Sequence, residues 1–173
     1  LEPHLAPGTS LVLADGAIDC PGSVTGFGRC LLHATRALLE AGHQSACVLN
    51  ADGPTLPTAI LQRTAALLAQ PGDRAVLGPA EDGGYYLLGL KQAHAEMFAD
   101  IAWSTDNVAR ATRARARSIG LDLVELPSWY DVDDAPALDR LLTEMNTRGE
   151  GYSAPATRRC LERLALLAPN AHA

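Results

Sequence analysis

Lysine is almost missing from this chain of 173 residues. Lys91 is the sole one, and the other basic residues among the 14 are arginines. With no Gly-Lys-Ser/Thr run there is no P-loop, which excludes a P-loop nucleotidase. Cysteine is sparse: Cys20, Cys30, Cys47 and Cys160 include no two-residue spacing, so no thiolate pair for zinc or redox chemistry is present. Cys30 and Cys47 sit in apolar patterns and are expected in the core. His4, His33, His43, His94 and His172 show no metal-ligand spacing. No apolar run approaches the about 20 residues a membrane span needs. The start, Leu1 to Ser10, lacks the basic and apolar regions of a signal peptide, so a reducing cytoplasm is the expected location. No Gly-x-Ser-x-Gly elbow, Ser-His-Asp order or His-Glu-x-x-His motif supports a hydrolase. A net charge of −6 argues against a nucleic-acid partner, which normally meets a basic footprint.

What is present reads as one domain over residues 1–173, with 47% hydrophobic residues and room for a core. Leu11 to Ala14 is a short apolar strand candidate, followed by a Gly/Pro-rich stretch, Asp15 to Gly28. Phe27, Leu31, Ala34, Leu38 and Ala41 recur at helical spacing, and Gly42 suits the helix end. Cys47 to Leu49, Ala75 to Leu77, Tyr85 to Leu90 and Leu123 to Leu126 read as strands. Helices are expected after Pro57, from a Ser104 cap to Ile119, from Pro136 to Met145, and from a Ser153 cap to Leu167. Strands alternating with helices of 10–15 residues predict a three-layer α/β sandwich with a mainly parallel sheet. Ligands of such folds bind at the carboxyl ends of strands.

Acids cluster at those places. In Val48-Leu49-Asn50-Ala51-Asp52-Gly53-Pro54 a strand runs directly into Asp52. Such a carboxylate either holds Mg²⁺ or Mn²⁺ against a diphosphate or orders the turn by accepting backbone N–H bonds. Gly78-Pro79-Ala80-Glu81-Asp82-Gly83-Gly84-Tyr85-Tyr86 carries two acids and two glycines. The glycines allow close approach of a ligand, and Tyr85 offers a face for a base or sugar; the other reading is a tight turn between antiparallel strands. In Trp129-Tyr130-Asp131-Val132-Asp133-Asp134-Ala135-Pro136, Asp134 is placed to cap a helix. In an extended stretch Asp131 and Asp133 point the same way, and two like charges on one face call for a cation. Gly26-Phe27-Gly28-Arg29 opens a helix where a phosphate could sit, with Arg29 as its pair; a plain turn into the helix is the alternative.

Taken together, these segments resemble a bacterial family of GT-A-fold glycosyltransferase-like proteins, mostly filed as a domain of unknown function. The family is distantly similar to sugar-phosphate and cofactor nucleotidyltransferases. Leu77 to Leu90 carries the most specific likeness, with Asp52, Trp103-Ser104-Thr105 and Asp131 to Asp133 following the family order between Gly22 and Leu166. The resemblance implies a nucleotide-sugar-binding fold. By it, Asp52, Asp133 and Asp131 are metal ligands for Mg²⁺ or Mn²⁺. Glu81 and Asp82 are the catalytic acids, facing the sugar or acceptor, and Gly83, Gly84, Tyr85, Ser104, Thr105 and Arg29 bind substrate.

Family members also begin with a strand and a basic loop, a helix and a second strand. Here few residues precede the Gly-rich segment and none of them is Arg or Lys. The first βα unit is therefore expected to be lacking, residues 1–10 to be disordered, and a homodimer to cover the exposed edge. The expected function is metal-dependent glycosyl transfer from a nucleotide-diphosphate sugar. The alternatives are nucleotidyl transfer to a sugar phosphate and a truncated, non-catalytic binding or assembly module.

Overall fold

A computed structural model describes residues 20–147 and 151–168. Four strands, β1 (Ala46–Leu49), β2 (Arg74–Pro79), β3 (Tyr85–Leu90) and β4 (Asp122–Glu125), form one sheet in the order β1-β3-β2-β4. The helices are α1 (Phe27–Glu40), α2 (Thr58–Leu68), α3 (Val108–Ser118), α4 (Ala135–Asn146) and α5 (Pro155–Arg163), with a short 3-10 helix at Ala95–Phe98. The two central strands, β2 and β3, are buried along nearly their whole length, which is why they read as unbroken apolar runs. The outer strands β1 and β4 keep exposed positions.

The sheet is mixed, which corrects the expectation of a mainly parallel one. β2 pairs with β4 in parallel, but β3 runs antiparallel to both β1 and β2. The cause is the link between β2 and β3: residues 80–84 suffice for a hairpin, whereas a parallel return needs a crossover of a dozen residues or more. The expected lack of a first βα unit, the candidate strand Leu11 to Ala14 and the expected disordered start all concern residues 1–19, which lie outside the described residues.

Helices cover both faces. One face packs Ala75, Leu77, Leu88 and Leu90 against Leu32 of α1, Ala116 of α3 and Met97 and Phe98 of the 3-10 helix. The other packs Val76, Leu87 and Tyr86 against Ile60 and Leu68 of α2. Truncating a residue as enclosed as Leu77 or Leu88 would cost about 2–5 kcal/mol. Helices α4 and α5 share a separate cluster of Leu141, Met145, Ala154, Leu161 and Leu167.

A β-bulge breaks the alternation of β3. Gly78 pairs with Leu87, yet its neighbour Pro79 pairs with Tyr85, so Tyr86 is the extra residue. Tyr86 and Leu87 consequently share the α2 face, and Tyr85 turns to the opposite face, against Trp103. The Tyr86 ring lies over Gly78, where a Cβ would come within 2.3 Å of it.

Several local expectations change. Ser104 does not cap α3; it sits at φ 60°, and Asn107 occupies the N-cap position without a side-chain bond to the helix backbone, its Oδ1 accepting from Arg110 instead. Ser153 does not cap α5, whose N-cap position is held by Ala154, at φ 41°. Cys30 and Cys47 are exposed rather than in the core, because Cys30 lies on the outer side of α1 and Cys47 on an edge strand. The buried side of α1 runs through Gly28, Leu32 and Thr35, leaving Phe27 59% exposed.

Candidate functional site

Three loops meet at the carboxyl ends of β1, β2 and β4, and backbone hydrogen bonds stitch them together. Leu126 N–H donates to Leu77 O at 2.8 Å and Trp129 N–H to Pro79 O at 3.2 Å, while Glu81 N–H donates to Trp129 O at 3.1 Å. Val132 N–H donates to Asp52 O at 3.0 Å. A Cβ on Gly53 would lie 3.4 Å from Tyr130 O, so the first and third loops run in contact. Val132 packs into the α4–α5 cluster. The alternation of an extended chain then sends Asp131 and Asp133 the other way, towards Asp52.

Asp52, Asp131 and Asp133 each bring a carboxylate oxygen within 4.8 Å of the other two. Among the described residues, none of the three forms an ion pair with a basic side chain. Burial raises the Asp131 carboxyl above the usual range, and the negative charges of Asp82, Asp133 and Asp52 add to the effect. The donor set fits a hard divalent cation: all three ligands are carboxylate oxygens, and two oxygens on one octahedral ion lie about 3–4 Å apart. Asp134, beside them, accepts from Ala137 N–H at 2.8 Å and caps α4 as its position predicts.

The triad opens on a cleft of about 500 Å³ lined by Asn50, Asp82, Tyr85, Trp103, Thr105 and Asp106, among others. The hairpin carrying Glu81 to Gly84 is held tightly there. Asp82 accepts from Gly84 N–H at 2.8 Å, and Ala109 N–H, in the first turn of α3, donates to Gly83 O at 2.9 Å. Gly83 has φ +95°, and a Cβ on it would come 2.1 Å from Asp106 O. Only glycine fits that backbone contact. The redirected Tyr85 meets Trp103 edge to face at 6.4 Å, and Trp103 meets Phe27 at 5.7 Å. Tyr85 Oη and Trp103 Nε1 are buried with no hydrogen-bond partner among the described residues, and both residues line the cleft. Burial raises the Tyr85 phenol strongly, so it stays protonated.

A second cleft, of about 300 Å³, shares Asp82, Asp131 and Asp133 with the first and adds Glu81, Tyr130 and Arg140. Glu81 is ion-paired to Arg140 Nη1 at 2.7 Å. The Arg140 guanidinium lies 3.9 Å from the centre of the Tyr130 ring.

The structure thus brings together Asp52, Asp131, Asp133, Asp82, Gly84, Tyr85, Ser104 and Thr105 around one cleft, and Glu81 around its neighbour. Thr105 Oγ1 donates to Ala102 O at 2.7 Å, so its proton is committed to shaping the loop. Gly83 serves the contact with Asp106. Arg29 is not among the lining residues of either cleft. The glycine before it, Gly28, answers to packing: a Cβ there would meet the Trp103 ring at 2.9 Å. Sequence reasoning missed Asn50, Phe27, Asp106 and Arg140. Asn50 was readable as the polar residue ending β1; the partnership of Arg140 with Glu81 spans 59 positions and left no local signal.

A mixed sheet between helical layers, with carboxylates gathered at strand ends, defines a GT-A-like α/β protein. The same architecture is found in a crystal structure described as a "putative nucleotide-diphospho-sugar transferase" from Desulfovibrio desulfuricans G20. It aligns with a TM-score of 0.69 and 29% sequence identity over 81% of this chain. The chain spans 61% of that protein's length. Residues 14–105 match the family described as "Uncharacterized protein conserved in bacteria (DUF2064)", and the chain belongs to that family. The matched span includes Asp52, the 81–84 hairpin and Trp103 to Thr105, and ends before Asp131. A search of curated proteins gives no match. No helix among the described residues is long and apolar enough to cross a membrane.

Proposed function

We propose that the protein takes part in glycosyl transfer from a nucleotide-diphosphate sugar, with Asp52, Asp131 and Asp133 holding a divalent cation, Mg²⁺ or Mn²⁺. The observation that carries this reading is the convergence of three carboxylates from two loops, without an ion pair among the described residues, on one cleft that also contains Asp82. Likeness to the Desulfovibrio desulfuricans structure supports the choice of donor class. A bound cation would supply charge compensation for a leaving diphosphate.

The chain's own residues do the rest. Asp82 is held by Gly84 N–H through one oxygen, which leaves its second oxygen to take a proton from an acceptor hydroxyl. Glu81 is the weaker candidate for that role because Arg140 already occupies it. Tyr85 and Trp103 give the cleft an aromatic wall on which a base or sugar could pack.

Calorimetric titration with UDP-, GDP- and ADP-sugars, with and without Mn²⁺, tests the proposal. The expected result is a Mn²⁺-dependent isotherm with at least one of them. Flat titrations throughout would overturn it, and release of pyrophosphate from an NTP and a sugar phosphate would replace it with nucleotidyl transfer.

A further inference from the structure

We propose that Glu144 and Tyr130 are positioning residues that set the spacing of the metal carboxylates, with helix α4 as the support they act from. The inference rests on the cation-binding reading above and assigns work to residues outside the cleft of the triad.

Tyr130 immediately precedes Asp131, and Thr55 lies three residues after Asp52. Both are buried, at 4% and 2% exposure. Thr55 Oγ1 donates to Glu144 Oε2 at 3.0 Å, and Tyr130 Oη donates to the same oxygen at 2.5 Å. The two hydroxyls also lie 3.1 Å from each other, so they and one oxygen of one α4 side chain form a closed hydrogen-bonded triangle. The two loops that carry the triad are therefore fastened to a common point. Charge-assisted bonds of this kind are the strong ones.

The fastening is closed from outside. Tyr152 N–H donates to Thr55 O at 2.9 Å, and Gly151 passes so close that a Cβ would lie 2.3 Å from Glu144 Oε1 and 2.8 Å from Thr55 O. Arg140, one helical turn before Glu144, stacks on the Tyr130 ring and pairs with Glu81. Val132, between the two acids of the third loop, packs into the α4–α5 cluster. Helix α4 thus touches all three acidic loops, and a shift of α4 would change the distances among Asp52, Asp131 and Asp133. Outer partners of metal ligands typically carry about 10–100-fold in affinity.

The test is Mn²⁺ titration read by water-proton relaxation, with thermal melting alongside, on wild type, Glu144→Leu, Glu144→Gln and Tyr130→Phe. Gln keeps an oxygen able to accept both hydroxyl protons; Leu does not. The expected result is a roughly 10-fold weaker Mn²⁺ affinity in Glu144→Leu, with higher relaxivity per bound ion as water replaces a displaced carboxylate. Glu144→Gln should stay within about 3-fold of wild type, and Tyr130→Phe should fall between. A Glu144→Leu protein that is folded, melts lower and binds Mn²⁺ as wild type does would overturn the inference, because the network would then serve stability alone. If Glu144→Leu does not fold, Tyr130→Phe decides: unchanged affinity and relaxivity overturn it. No Mn²⁺ binding by wild type would instead remove the cation-binding reading itself, and this inference with it.

Discussion

The acids where β2 and β4 begin and the triad where β1, β2 and β4 end are partnered in opposite ways. Where β2 and β4 begin, each carboxylate has a basic neighbour: Asp73 meets His94 Nε2 at 2.7 Å, and Asp122 meets Arg74 at 3.1 Å. Where β1, β2 and β4 end, Asp52, Asp131 and Asp133 face one another with no such partner among the described residues. Like charges gathered on one face destabilise the fold unless something offsets them. The proposed cation would offset the triad's charge, whereas Asp73 and Asp122 already have basic neighbours. Under the proposed function, the contrast separates acids that hold the fold from acids that would hold a cation.

The largest test of that contrast is metal-dependent stability. With Mn²⁺ at about 1,000 times its Kd, a site that binds only the folded chain adds about 4 kcal/mol, a melting shift of about 8 °C or more for a chain this size. Replacing Asp52, Asp131 and Asp133 together by Asn should abolish the shift in a thermal melt; a shift that persists would break the comparison. Next comes Gly83→Ala, at the same end. Its methyl would collide with Asp106 O, and urea denaturation should show a loss of about 3 kcal/mol.

Asp73→Asn, at the paired end, should lower stability by about 1 kcal/mol and leave the Mn²⁺ response unchanged. An altered Mn²⁺ response would mean that the two ends are not independent.

The smallest effect is in pH, and its sign differs between a paired and an unpaired acid. Hydrogen bonding to Arg113 holds the Glu125 carboxyl below its ordinary value of 4.5. Its stabilising contribution is present above that value and is lost as pH falls through the lowered pKa. Asp131 is raised from 3.8, so without metal it destabilises the fold above its raised pKa and is relieved as pH falls through it. In melts from pH 6 to 3 with EDTA, Glu125→Gln should soften the loss of stability on acidification. Asp131→Asn should steepen it, by starting from a more stable protein at pH 6. Equal slopes for both variants would contradict the distinction.

Much of the acidic end was legible because strand ends and caps are local. Asp52 lies three residues past the end of β1, Asp134 precedes a Pro-containing helix start, and the alternation Asp131-Val132-Asp133 already implied a shared direction for the two acids. The direction of β3 was legible in principle from the short 80–84 link, but alternating strands and helices elsewhere suggested parallel pairing. The role of Ser104 as a cap was misjudged because a left-handed residue and a close backbone crossing at Gly83 and Asp106 decide where α3 begins. The support from α4 was out of reach: Thr55 and Glu144 are 89 positions apart, and no periodicity encodes such a meeting.

The bulge at Tyr86 carries a consequence for how this hairpin can vary. It reverses the in-and-out rhythm of β3 partway along, so the strand obeys one parity before Tyr86 and the other after it. Substitutions there act on single side chains. A one-residue deletion at the bulge would restore regular alternation and turn Tyr85 away from Trp103 towards α2. Length is therefore a constraint of its own in this segment, beside the glycines that Gly78 and Gly83 must be: the hairpin cannot be shortened by one without exchanging the wall of the cleft for the underside of the sheet.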